Sequence, residues 1–362
     1  MSLDLVLRND EKAVFSLRAL YGKYGYSQYK MSKFEEYDLY VKNKDFLVSE
    51  SVITFTDTDG KLMALKPDVT LSIIKNSKDG DGVQKVFYDE NVYRVSKGTK
   101  SFKEILQAGL ECIGNVDDYL ISEVLLLAEM SLKSISNDFV LDVSSLDVIN
   151  GIMDDMGLSF SVKKEVMTFL AEKNAKGIEQ TLERVNADKD LTELLVSLTS
   201  TYGKPEKIRQ KFDGYRLSEN TKIALDKLIA TVQSLIDLGE GDNVNIDFSV
   251  VNSLNYYNGI VFNGFISGIP TGILSGGQYD NLMKIMGRKS KAIGFAVYLD
   301  ELIKFNKSEN LDVDVALIYG KTPVSVVNKK VKEFIDQGKS VIALEILPEK
   351  LKCKQTIYLE KE

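Results

Sequence analysis

The sequence contains no histidine and no tryptophan in 362 residues, with five prolines and two cysteines. The missing histidines exclude the most chemistry. No Ser-His or Cys-His nucleophile pair can form, and no metal site with an imidazole ligand. Any general acid or base must be Asp, Glu, Lys, Tyr or Cys. Cys112 and Cys353 stand far apart in the sequence, so a disulfide is not expected. No apolar run is long enough to span a bilayer. The opening MSLDLVLRNDEKAVF also lacks the pattern of a signal peptide. The expected location is cytoplasmic, with no membrane partner. A formal net charge of −7 leaves no surplus of cations for a broad nucleic-acid surface.

Short chemical motifs are scarce as well. No GxGxxG opens a helix after a strand, and no GxxxxGK[ST] occurs. FTDTDG (55–60) resembles part of a calcium loop, but its first ligand would be Phe55 and its twelfth Lys66, so that reading fails. SVKK (161–164) matches S-x-x-K without companion motifs in a helical block. No metal and no cofactor are expected.

What is present begins with an ordinary globular composition. Hydrophobic residues make up 44% and charged residues 27%, and the length allows one large domain plus a small one. Residues 11–26 carry the spacing of an amphipathic helix, with Gly25 as its stop. Residues 49–70 read as a hairpin. Val52, Thr54 and Phe55 begin one strand, Asp59-Gly60 make the turn, and Leu62, Ala64 and Leu65 return before Pro67 and a helix at TLSIIKNS. KVFYDENVYRV (85–95) and FKEILQAGLECIG (102–114) form a strand pair, and 118–135 a strong helix. Residues 147–240 turn mostly helical. Strands resume at NVNIDFSVV (243–251), and 290–305 is a strand running into a helix. A polar linker at 304–312 precedes a β-α-β-β unit. The expected class is α+β: a mainly antiparallel sheet flanked by helices, with a helical insertion and a small C-terminal α/β unit.

Three stretches suggest a site. YRVSKGTKSFK (93–103) is a basic loop, either solvated or reaching for phosphate through Arg94. ILQAGLECIG puts Gln107, Gly109 and Glu111 on one strand face, as a ligand floor or a solvent-facing surface. Residues 252–280, NSLNYYNGIVFNGFISGIPTGILSGGQYD, read as two alternating strands with a glycine-rich connection, three tyrosines and a closing tight Gly-Gly turn. They hold no Arg, Lys, His, Cys or Glu, which suits a pocket that binds without reacting.

In this order the pieces resemble the class II aminoacyl-tRNA synthetase fold, and specifically the histidyl-tRNA synthetase family, over roughly residues 5–305. FTDTDGKLMALKPDVT resembles the family's hairpin and its Arg-Pro-(Glu/Asp)-x-Thr segment. VFYDENVYRV with FKEILQAGLECIG resembles motif 2, LNYYNGIVF and SGGQYDNL the two histidine signatures, and KAIGFAVYLDEL motif 3. The resemblance implies a catalytic-type domain at 1–305, with its insertion at about 147–240, and a separate unit at 311–362. It implies a histidine pocket with Asp68, Thr70 and Gln107 around the α-ammonium group. Glu111, Tyr257 and Tyr279 would meet the imidazole, with Tyr256 beside them. An ammonium calls for a carboxylate and neutral acceptors, and a ring with two nitrogens for a fixed acceptor and a hydroxyl. The plainer alternative makes the tyrosines core residues and Asp68 a helix cap.

The sequence departs from the family where amino-acid activation needs positive charge. Arg94 remains at the motif 2 position as an anion contact. Asn252 stands where an Arg is expected, Glu301 replaces the motif 3 Arg, and Tyr298 replaces a small Gly. The loop after Arg94 is about two residues short, and Ser32 stands for the Pro of motif 1. Residues 311–362 are shorter than an anticodon-binding domain, so tRNA is not an expected partner.

A kept pocket with lost activation resembles the family of ATP phosphoribosyltransferase regulatory subunits, which are synthetase paralogues. That resemblance implies no catalytic residue of its own. It implies a hetero-oligomer with the short-form catalytic subunit, a synthetase-like dimer, L-histidine as ligand, and feedback control of the first step of histidine biosynthesis. An active histidyl-tRNA synthetase, or a synthetase-like scaffold for another partner, are the alternatives.

Overall fold

The computed structural model describes residues 7–44, 47, 52–80, 82–96, 99–251, 256–302 with the backbone of 303–305, and 311–359. Contacts divide the chain into two compact units: Asn9–Ile303, and a second that groups the C-terminal part, described over 311–359, with the residues before Asn9, of which 7–8 are described.

The large unit is built on a nine-stranded sheet. Its spatial order is Ser27–Gln28, Gln84–Val95, Phe102–Gly114, Lys291–Tyr298, Leu274–Gln278, Asn258–Ile266, Phe139–Ser145, Val244–Asp247 and Tyr202–Gly203. Pairing is antiparallel from Gln84–Val95 through Phe139–Ser145, and parallel where Ser27–Gln28 and Val244–Asp247 join. The expected antiparallel sheet with helices and a helical insertion is therefore the observed architecture.

The two faces of this sheet have different tasks. Alternation along Phe102–Gly114 sends Ala108, Leu110 and Cys112 into the larger core, beneath the helices Asn9–Lys23 and Asp118–Ile135. The second helix is started by Asp117, whose carboxylate accepts from the Leu120 amide at 2.9 Å. It presents Leu120, Val124, Leu127 and Leu132, all buried, along one side. The opposite sheet face carries Val86, Tyr88 and Val92. It packs against Leu71, Ile73 and Ile74 of the helix Thr70–Asn76 and against Leu282 and Met283.

Six helices, Leu146–Asp155, Phe160–Ala171, Ala175–Arg184, Lys189–Leu198, Pro205–Phe212 and Glu219–Asp237, form the helical block. It is not purely helical, because Tyr202–Gly203 joins the main sheet as an edge strand. SVKK lies on the second of these helices. In the C-terminal unit, Val313–Ile318 pairs in parallel with Val341–Leu344 and Cys353–Tyr358, and Val324–Asp336 covers the sheet.

Several boundaries differ from the sequence reading. The first helix starts at Asn9 and ends at Lys23, before Gly25 at φ +80°. The strand expected at 243–251 stops at Asp247, whose carboxylate accepts from the Ser249 amide at 2.8 Å and turns the chain. The hairpin strands Thr54–Thr56 and Leu62–Leu65 are joined by a third, Phe34–Glu36. Between them Asp57 accepts from the amides of Asp59 and Lys61, which makes FTDTDG a turn. The tight Gly-Gly turn is a clearer correction: Gly276 and Gly277 lie inside the strand Leu274–Gln278, mid-sheet. A Cβ on Gly276 would come 2.5 Å from that of Phe295, and one on Gly277 2.8 Å from the Tyr257 ring. These glycines are set by close packing.

Candidate functional site

The site is assembled in rows across adjacent strands. Val86, Glu111, Gly294 and Gly277 stand side by side. The next row is Tyr88, Gly109, Ala296 and Ser275, and the third is Glu90, Gln107 and Tyr298. Rows on one face repeat at about 7 Å, twice the rise per residue. Small residues dominate the middle row and open the floor into a cavity of about 410 Å³. Close approach requires glycine at two positions. A Cβ at Gly109 would come 2.6 Å from the Tyr88 hydroxyl, and one at Gly294 would collide with the Glu111 carboxylate.

All eight residues singled out from the sequence line this one cavity: Asp68, Thr70, Arg94, Gln107, Glu111, Tyr256, Tyr257 and Tyr279. They come from five separate stretches of chain. Gln107 and Glu111 are buried, so this strand face is not exposed to solvent. Glu111 is held from both sides: the Thr70 hydroxyl donates to Oε1 at 2.7 Å, and the Tyr279 hydroxyl to Oε2 at 2.5 Å. Tyr279 is fixed in turn by its amide bond to the Ala292 carbonyl at 2.9 Å. The rings of Tyr256 and Tyr279 lie 5.9 Å apart, and those of Tyr256 and Tyr257 4.6 Å. The Tyr257 hydroxyl bonds to Ser275. These tyrosines are at once core and cavity wall, since Tyr256 and Tyr279 belong to the buried cluster on this face.

Asp68 combines both readings given to it. One carboxylate oxygen accepts from the Leu71 amide at 2.9 Å at the start of the helix Thr70–Asn76, and the residue also lines the cavity. Arg94 is the single cationic side chain on the wall among the described residues. Its Nε donates to the Pro67 carbonyl at 3.0 Å, its guanidinium bonds to the Tyr298 hydroxyl, and its charge acts on Asp68.

Burial controls the ionisation. The Glu111 carboxyl is pushed up to about 8 by desolvation, against the lowering effect of the Tyr279 and Thr70 hydroxyls. Asp68 is raised for the same first reason, with the Leu71 amide and Arg94 opposing it. Near neutral pH the Glu111 carboxyl thus keeps most of its proton, and among the described residues Arg94 is the one cation on the wall. Such a cavity suits a small ligand with N–H donors on one side and a carboxylate on the other.

Sequence reasoning missed Tyr88 and Ser275 and did not place Tyr298 on the wall. The period-two spacing of Ser275, Gly277 and Tyr279, and of Gly294, Ala296 and Tyr298, carried the signal. Glu301 is partly buried at the start of the helix Asp300–Phe305 and is not on the cavity wall. Asn252 lies outside the described residues.

Fold and cavity together define a class II aminoacyl-tRNA synthetase-like protein. The sequence model of the family described as Histidyl-tRNA synthetase matches residues 6–302. A curated relative from Acetivibrio thermocellus, named ATP phosphoribosyltransferase regulatory subunit, is 30% identical over 287 residues, 78% of this chain and 68% of its own. A crystal structure from Bacillus halodurans, named ATP phosphoribosyltransferase regulatory subunit/histidyl-tRNA synthetase, is alike with a TM-score of 0.74 at 21% identity. It covers 97% of this chain and 93% of its own. A chain of the ATP phosphoribosyl transferase (HisG:HisZ) complex from Thermotoga maritima reaches 0.63 at 19% identity, over 80% and 97%. At these identities the structural likeness speaks for the fold. The chain belongs to the histidyl-tRNA synthetase family, in its branch of ATP phosphoribosyltransferase regulatory subunits.

Proposed function

We propose that this chain does no bond-making itself, assembles with a separate ATP phosphoribosyltransferase catalytic subunit, and binds L-histidine in its tyrosine-lined cavity as a feedback signal. One observation carries the ligand: acceptors for an ammonium group and an imidazole, drawn from four chain segments, line a single cavity with Arg94, from a fifth, near Asp68. In this reading Asp68, Thr70 and Gln107 take the α-ammonium, Glu111, Tyr257 and Tyr279 the ring beside Tyr256, and Arg94 the carboxylate. The names of the relatives support the regulatory role, and the Thermotoga maritima complex supports a hetero-oligomer. Histidine would transmit its signal by binding two assembly states with different affinity. The residues 1–305 and 311–362 would serve as separate domains. A synthetase-like dimer is supported by Phe34 and Phe55, both well exposed on the small sheet with rings 5.2 Å apart.

Amino-acid activation is disfavoured by charge. A cation–anion pair at about 4 Å is worth roughly 4 kcal/mol at an effective dielectric near 20. ATP and a substrate carboxylate would meet a single arginine on the wall among the described residues. Substituting Glu for the Arg at position 301 removes another attraction. Calorimetric titration with L-histidine, and with a second amino acid as control, tests the ligand. Selective, saturable binding is expected, and no binding overturns it. Co-purification with the catalytic subunit tests the partner. Histidine-dependent exchange of pyrophosphate into ATP would establish a working synthetase instead.

A further inference from the structure

The cavity wall carries a residue that the ligand reading does not use, Tyr298. The floor runs from the row of Glu111 and Gly294, across the small residues Gly109 and Ala296, to the row of Gln107 and Tyr298. The sheet itself does not stop there, because the Leu299 amide still donates to the Leu106 carbonyl at 2.9 Å. What stands in that row is a large side chain. Tyr298 stands on the wall with its hydroxyl bonded to Arg94, and Arg94 is anchored from behind by the Pro67 carbonyl. A phenol braced on an anchored guanidinium does not swing aside freely.

We propose that Tyr298 sets the length of ligand this cavity accepts, admitting a free amino acid and rejecting one whose carboxyl group carries a bulky extension such as a nucleotidyl group. The inference rests on the reading of the cavity as a histidine site. Two row intervals, about 14 Å of floor, separate the row of Glu111 from that of Gln107 and Tyr298, where the Arg94 guanidinium meets the Tyr298 hydroxyl and, in that reading, holds the ligand's carboxylate. Anything attached beyond the carboxylate meets the ring of Tyr298. The site is then specific for the free end product by shape, and this holds independently of any missing charge.

The test is calorimetry on the full chain with L-histidine, its methyl ester and its benzyl ester, in the wild type, Tyr298→Phe and Tyr298→Ala. Both esters lack the carboxylate charge, so the ratio of their affinities isolates size. The wild type and Tyr298→Phe should prefer the methyl ester by about tenfold or more, the scale of forcing bulk against a packed wall. Tyr298→Ala should bring the two esters within about threefold of each other while still binding L-histidine. Equal affinity of the wild type for both esters overturns the inference, and so does an undiminished preference in Tyr298→Ala. Should Tyr298→Ala fail to fold, Tyr298→Val is the second truncation and is judged by the same ratio. If L-histidine binds but the ratios do not move, only this inference fails. If L-histidine does not bind the wild type, the parent reading fails and this one with it.

Discussion

Glu111→Gln removes the titrating proton of one carboxyl group while keeping its shape, and it tests the claim that this group is uncharged in the folded protein. The carboxyl is pushed up to about 8 from an ordinary 4.5, with burial as the first cause. The raised value fixes the sign of the pH dependence. Between the two values the unfolded chain has lost the proton and the folded chain keeps it, so the folded state binds more protons. The stabilising contribution is complete below the unfolded value and is lost as pH rises through the folded one. The slope in that window is about 1.4 kcal/mol per pH unit, or roughly 3 kcal/mol between about pH 5.5 and 7.5. Glutamine carries no such proton and escapes the loss. Urea unfolding followed by far-UV circular dichroism suits a chain without tryptophan. Measured across that range, the variant should gain on the wild type by about 1.4 kcal/mol per unit. Parallel profiles for the two proteins would refute the idea that Glu111 is buried with its proton on.

The remaining predictions concern neighbouring residues. Tyr257→Phe loses the hydroxyl that meets Ser275 and should weaken histidine binding about fivefold to thirtyfold in calorimetry without lowering stability much. Unchanged affinity would mean the hydroxyl does not face the ligand. Gly294→Ala places a methyl group against the Glu111 carboxylate; it should cost about 1–3 kcal/mol in urea unfolding and abolish binding. Lys66 is fully buried and paired at 2.9 Å with the part-buried Glu90, so Lys66→Met should destabilise by about 1–3 kcal/mol by leaving that carboxylate without its cation. Asn252→Arg alone should give no pyrophosphate exchange, because position 301 still carries a negative charge; measurable turnover would contradict the electrostatic argument.

Much of the site was legible because β-strand alternation is strict. Gln107, Gly109 and Glu111 share a face by spacing alone, and the buried partners Ala108, Leu110 and Cys112 complete the pattern. What spacing cannot give is which strand lies alongside. That Gly294 faces Glu111, and Tyr298 faces Gln107, follows from a pairing across more than 180 residues of chain. Tyr298 therefore read as a departure from a motif before it read as a wall. The Gly276-Gly277 pair misled for a related reason. Locally it has turn chemistry, but its neighbours Phe295 and Tyr257 come from elsewhere and demand small residues in a strand. The strand Phe34–Glu36 escaped notice because three residues are too few for a period to be seen.

The four strands that make the floor each have a neighbour on both sides, and this has a consequence for how the site is kept. A slip of one residue along Phe102–Gly114 would turn Gln107, Gly109 and Glu111 away and bring Ala108, Leu110 and Cys112 to the ligand. Nothing would be mutated, yet an apolar surface would replace the acceptors. Binding residues and register thus specify one another. The protein keeps its pocket as a phase relation between strands, and an insertion or deletion within any of the four would erase the site more completely than loss of a single contact.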